Sequence, residues 1–225
     1  METANDESTL EARPGSLSET STISCATITK TSVGNEFPMT FNIDFGLGCT
    51  HNGVTRSGMI TVTYTGFFLT NGSQMIITRN NYVVDGYQIQ GTVTYTNQTT
   101  DPGTPQWSRT VTNGQITTPG GDVYTHTGTR TVRQTAGVGT PLIMADNVFE
   151  VSSGTSTVTR EGGATLTATI TTPLIKNASC SYISEGVLHL EGGMLNGDLD
   201  YGTGACDITA IYTHADGQQY TVILN

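Results

Sequence analysis

The chain has 225 residues, of which 35% are hydrophobic and only 12% charged, with a formal net charge of −10. Nineteen acidic against nine basic residues, with no Lys/Arg cluster, argue against nucleic acid as a partner and against anionic membrane surfaces. No stretch reaches the ~18 consecutive apolar residues of a membrane span.

Residues 1–21 are polar and acidic, with Pro14-Gly15 in the middle. They are expected to form a disordered spacer, because they hold too little apolar surface to offset the entropy of ordering. They lack the basic start and apolar centre of a signal peptide, so an exported form would owe its export to a leader outside this sequence. Residues 22–225 are expected to form a single all-β domain. Strands are expected at roughly 22–30, 37–44, 56–69, 73–79, 82–96, 106–117, 122–133, 147–158, 163–172, 181–190, 197–201, 206–213 and 218–224. Between them stand Asn52-Gly53, Asn71-Gly72, Asp85-Gly86, Asn113-Gly114, Gly121-Asp122, Asn196-Gly197 and Asp216-Gly217, all suited to turns with positive φ. Longer irregular connections are expected at 97–106 and 136–141. In 59–65, Ile60, Val62 and Tyr64 fall on one face and Thr61, Thr63 and Thr65 on the other, as a half-buried strand requires. With no strand-helix-strand rhythm, the expected fold is an antiparallel meander forming an extended twisted sheet or open half-barrel, with a two-sheet β-sandwich as the alternative.

One phrase occurs near both ends: Asp44-Phe45-Gly46-Leu47-Gly48-Cys49 and Asp200-Tyr201-Gly202-Thr203-Gly204-Ala205-Cys206. Each copy follows another cysteine at similar range, Cys25 and Cys180. The matched spacing suggests two local disulfides, Cys25 with Cys49 and Cys180 with Cys206, and a life outside the reducing cytosol. A cytosolic chain with four free thiols is the alternative.

The segments Cys25, Phe41 to Cys49 and Gly53 to Val62, together with Asp200 to Asp207 and the terminal strand Asp216 to Leu224, resemble a group of exported lipoproteins of Bacteroidota with no known activity. The resemblance implies export to the periplasm or outer-membrane surface, a β-rich fold, and a lipid anchor on a cysteine outside this sequence.

Among candidate sites, Asp198, Asp200 and Asp207 around flexible glycines could offer carboxylate oxygens to Ca²⁺. The first corner has only Asn42 and Thr50 where Asp198 and Asp207 have their counterparts, which favours a structural role in which the Asp braces a turn. Trp107, with Tyr82, Tyr87 and Tyr124 on neighbouring expected strands, is the candidate ligand platform; the competing and favoured role for Trp107 is a core anchor. Thr-x-Thr ladders (Thr61/Thr63/Thr65, Thr92/Thr94/Thr96, Thr125 to Thr131, Thr155/Thr157/Thr159, Thr165 to Thr171) invite comparison with ice- or glycan-binding faces. Thr is nonetheless favoured on any wet strand face, and no fixed-length repeat holds the rows in register. His51, His126, His189 and His214 lack zinc-site spacing. The nucleophile motif Gly-x-Ser-x-Gly is absent. Glu185, Glu191, Asp198 and Asp200 could supply a glycosidase-like carboxylate pair.

The expected function is accordingly non-enzymatic: an exported surface module that binds a glycan, a lipid or a protein partner. A structural subunit pairing through its sheet edges and a hydrolase of envelope polysaccharide, with Glu185 or Asp198 as acid or base, are the alternatives.

Overall fold

A computed structural model describes residues 25–224 apart from 33, 35 and 141; the expected spacer at 1–21 lies outside the described residues. The strands, in chain order, are β1 (Thr27–Lys30), β2 (Met39–Asp44), β3 (Cys49–His51), β4 (Val54–Tyr64), β5 (Gln74–Val84), β6 (Tyr87–Asn97), β7 (Gln106–Thr117), β8 (Val123–Ala136), β9 (Val148–Arg160), β10 (Thr165–Asn177), β11 (Glu185–Gly192), β12 (Leu195–Thr203), β13 (Thr209–His214) and β14 (Gln219–Ile223). All belong to one antiparallel meander, β1-β2-β4 and onward to β14, with β3 pairing β4 beside the path. The sheet is not closed, and the described residues form no second sheet and no helix. The expected extended sheet or open half-barrel is therefore the fold, and the sandwich is not.

Several local expectations are corrected. The expected strand at 82–96 crosses Asp85-Gly86, whose positive φ values of 47° and 84° make a hairpin turn there. Tyr82 to Val84 consequently close β5, which runs on from residue 74 through Asn81. Asn113-Gly114 is not a turn: it lies inside β7, at a register shift against β6. Asn196-Gly197 also lies inside a strand, β12, and the turn before it is at Gly193-Met194. Gly197 is needed for another reason, since a Cβ there would come within 2.1 Å of the Thr213 carbonyl oxygen on β13. β10 runs past Pro173, which is tolerated because the β10–β11 ladder is broken between Ile170 and Ile175.

A single-layer sheet must bury its apolar side chains against sheet neighbours and loops. One row of the apolar face passes through Phe41, Val62, Ile77, Val93, Val111, Gly128, Ser156, Ala168 and Leu190. Its large members lie in β2–β7 except for Leu190 on β11, and the buried core lies in β2–β7 too, formed by Phe45, Cys49, Ile60, Met75, Ile77, Tyr82, Val93, Tyr95 and Val111. Toward β8–β10 the row narrows to Gly, Ser and Ala. The loop between β4 and β5 closes one end of this core. Ser73 Oγ donates to the carbonyls of Phe67 and Thr70 (both 2.6 Å), Asn97 Nδ2 donates to Phe68 O (2.6 Å), and Phe68 stacks on Trp107 at 5.5 Å.

Both expected disulfides are present. Cys25–Cys49 ties the segment before β1 to β3, and Cys180–Cys206 ties the β10–β11 loop to the β12–β13 loop. The two corners share one local device: Asp44 Oδ1 accepts from Gly46 N and Asp200 Oδ1 from Gly202 N, each at 2.8 Å. This short Asx turn is the structural role expected of the motif. Two disulfides with no free cysteine belong to a protein that matures in an oxidising environment.

Candidate functional site: a hydroxyl face in register

Opposite the apolar face, the strand registers bring the Thr-x-Thr ladders side by side. One transverse row reads Thr40, Thr63, Ile76, Thr94, Thr110, Thr129, Thr155, Thr169, each directly opposite the next, and continues into His189 and Asp198. Parallel rows flank it: Asn42, Thr61, Thr78, Thr92 and Thr112 on one side, Thr96, Ser108, Thr131 and Ser153 on the other. Beyond the β7 bulge run Thr127, Thr157 and Thr167, then Thr125, Thr159 and Thr165. Strand spacing sets the rows' members about 4.8 Å apart, and alternate residues along a strand repeat at about 6.8 Å.

Hydroxyls in these rows bond one another where strands permit: Thr40 with Thr63 at 3.1 Å, Thr110 with Thr129 at 3.3 Å, Thr155 with Thr169 at 3.4 Å and Thr159 with Thr165 at 2.9 Å. Such contacts fix rotamers, so methyls and oxygens form an ordered and almost uncharged surface. At its β11–β12 end, His189 Nδ1 lies 2.7 Å from Asp198 Oδ1. The within-strand ladders were visible in the sequence, but their register was not, because hairpin loop lengths and bulges set it.

The sequence-derived platform is not gathered on a surface. Trp107 is 9% and Tyr82 5% exposed, Trp107 packed on Phe68 and Tyr82 tilted against Phe45. Tyr87 is exposed at the start of β6, and Tyr124 is half-buried on β8. Trp107 takes the anchor role, and its Nε1 has no hydrogen-bond partner among the described residues.

Asp198 pairs with His189, Asp200 braces the Gly202 turn, and Asp207 Oδ1 accepts from Thr209 N at 3.0 Å. Among the described residues, no group of three His, Cys, Asp or Glu side chains is placed to hold a metal. Glu185 lies opposite Thr203 and Asp198 opposite His189, which separates the two along the sheet by roughly 13 Å.

Two hollows among the described residues are open to solvent. One of about 470 Å³ lies beside Thr125, Thr159 and Arg160; the other, about 370 Å³, is lined by Met194, Leu195, Tyr212, His214, Asp216 and Tyr220. The second was missed from sequence because its residues come from three strands and two turns. In it Tyr212 stacks with Tyr220 at 6.3 Å, and Asp216 is held below the usual carboxylate range, first by the Gln218 N–H and then by His214. No helix among the described residues is long and apolar enough to cross a membrane. Compared with protein-family models, with curated proteins and with solved structures, the chain gives no match.

Proposed function

We propose that the protein is a non-enzymatic binding module that holds an extended glycan against its hydroxyl face. The observation that carries this reading is the cross-strand row from Thr40 to Thr169, in which seven of eight positions are threonine. A polysaccharide chain presents hydroxyls and C–H faces in a repeat along one axis, and an ordered array of hydroxyls and methyls can meet both without burying a charge. A lipid ligand would need an enclosed apolar cavity, whereas the described hollows are open. In the same reading the protein is exported and works in the cell envelope, as the resemblance to Bacteroidota lipoproteins implies, with a lipid anchor preceding the sequence given.

Co-sedimentation with insoluble cellulose, chitin and peptidoglycan tests the proposal. Retention on at least one of these polymers is expected, together with its loss in a Thr129→Lys/Thr155→Lys variant. These side chains are exposed in the middle of the row, so the change adds bulk and charge to the face and spares the core. A Met194→Ala/Leu195→Ala variant on the other face is expected to sediment as the parent does. Equal retention of the Lys variant, or no retention of the parent on any polymer, overturns the proposal.

A further inference from the structure

Among the described residues β14 is the last strand of the sheet, and its outer edge is unpaired. Its sequence, Gln219-Tyr220-Thr221-Val222-Ile223, has no charge, no proline and no bulge. These are the devices by which natural edge strands block further pairing. The other edge, β1, is only four residues long and ends in Lys30.

The hydrogen bonds show which groups of β14 are open. His214 N donates to Gln218 O at 2.9 Å and Leu224 N donates to Ile208 O at 2.7 Å. In an antiparallel ladder the bonded pairs alternate, so 218, 220, 222 and 224 point their amides and carbonyls toward β13. Gln219, Thr221 and Ile223 therefore point theirs outward, a set symmetric about Thr221. Tyr220 and Ile223 are 53% and 62% exposed, and Tyr220 continues the apolar row of Leu188, Leu199 and Tyr212 to the rim.

We propose that β14 pairs antiparallel with β14 of a second copy about a two-fold axis at Thr221. This register sets Thr221 opposite Thr221, Gln219 opposite Ile223 and Tyr220 opposite Val222. All outward amides and carbonyls of the three residues are then bonded, and the apolar face runs unbroken from one copy into the other. Pairing β14 with β1 instead would set its uncharged strand against one that carries Lys30, and it would propagate without closing. Five-residue pairing covers less than the ~800 Å² per partner of a standard stable complex, so the dimer is weak and depends on concentration. Each copy carries −10, so added salt strengthens it.

Sedimentation velocity across a range of concentrations tests this. The mass is expected to rise from 23.8 kDa to a plateau at twice that value. Thr221→Pro removes an outward amide and no β13–β14 bond, so it is expected to stay monomeric with the parent's circular dichroism. If that variant does not fold, Thr221→Lys, which keeps every backbone group and sets like charges across the axis, is expected to lose the dimer instead. In a Thr221→Cys variant, mild oxidation is expected to join two chains through this position. A parent that is monomeric throughout, a mass that climbs past the dimer without a plateau, or variants that associate like the parent overturn the proposal.

Discussion

Trp107 illustrates how one residue type carries two readings that only its surroundings can separate. Its ring is packed face to face on Phe68, under a loop held by Asn97 and Ser73, while its indole N–H bonds nothing among the described residues. The ring's area therefore stabilises the fold, while its unpaired N–H makes no bond that a phenylalanine would lose. Trp107→Phe is expected to cost no more than about 1.5 kcal/mol and Trp107→Ala about 3–5 kcal/mol, measured by urea unfolding. Asn97 is the counter-case. It is 1% exposed, donates to Phe68 O and accepts from Thr99 N at 2.8 Å, so Asn97→Ala takes the donor from a half-buried carbonyl and is expected to cost about 1–3 kcal/mol in the same assay. Nothing in the sequence separates Asn97 from the many polar residues of the nearby loops. Titration offers a third measurement at this scale. Burial raises the hydroxyl pKa of Tyr64 and Tyr201 above the ordinary 10.0. In the unfolded chain these groups lose their protons first, so their contribution is intact below pH ~10 and declines as pH rises beyond it. Burial of Lys176 lowers its pKa and works in the opposite sense, favouring the fold as pH rises toward the ordinary lysine value. Ultraviolet titration is expected to show a Tyr64→Phe variant losing part of the late-ionising phenol absorbance.

At the scale of elements, the sequence announced the strands far better than the way they bend. Asn-Gly and Asp-Gly pairs mark positive φ, and positive φ serves both hairpin turns and bulges. At Asn52-Gly53 and Asp85-Gly86 it makes turns, while Asn113, with φ of 53°, makes a bulge inside β7. The distinguishing fact is which strand lies opposite, and that is not local information. Facing Asn113 is Gly91, with φ of 104° and an Asn113 carbonyl oxygen 2.6 Å from where a Cβ would stand. Register shifts recur in the neighbouring pairs from β4–β5 through β11–β12, β8–β9 and β9–β10 included, so the bulges form a band across the sheet that adds twist and curvature. This band also decides which threonines meet across strands, which explains why ladders that invited comparison with a binding face did not reveal which of them would line up. Gly91→Ala is expected to destabilise by about 2–4 kcal/mol, through strained φ and a clash with rigid backbone. Thermal unfolding followed by circular dichroism checks it, and a change within about 0.5 kcal/mol would mean that β6 and β7 can re-register freely.

The molecule as a whole behaves as a line of strands rather than a ball. Each strand packs substantially only on its sheet neighbours, and no pair of strands distant in the sheet does so among the described residues. Stability in such an arrangement is close to a sum of local and nearest-neighbour terms, as in repeat proteins, so cooperativity need not span the whole length. The terms are unequal here. The buried core cluster is confined to β2–β7, whereas the last four strands bury few large side chains and leave Met194, Leu195, Ile208, Ile211 and Tyr220 exposed. What offsets this at the C-terminal end is Cys180–Cys206, which closes a loop with a sequence separation of 26 and contributes about 3 kcal/mol on the chain-entropy estimate. Cys25–Cys49 closes a similar loop at the end that already has the core, where Cys49 is 1% exposed and packed within it. The paired cysteines were legible in the sequence; the unequal need for them was not, since it follows from where bulky residues meet across strands. Hydrogen exchange in increasing urea is therefore expected to show β11–β14 losing protection before β4–β7. A Cys180→Ala/Cys206→Ala variant widens that gap and leaves β4–β7 nearly unchanged. One transition shared by all strands, in the parent and in the variant, would instead mean that the open sheet transmits its stability from edge to edge.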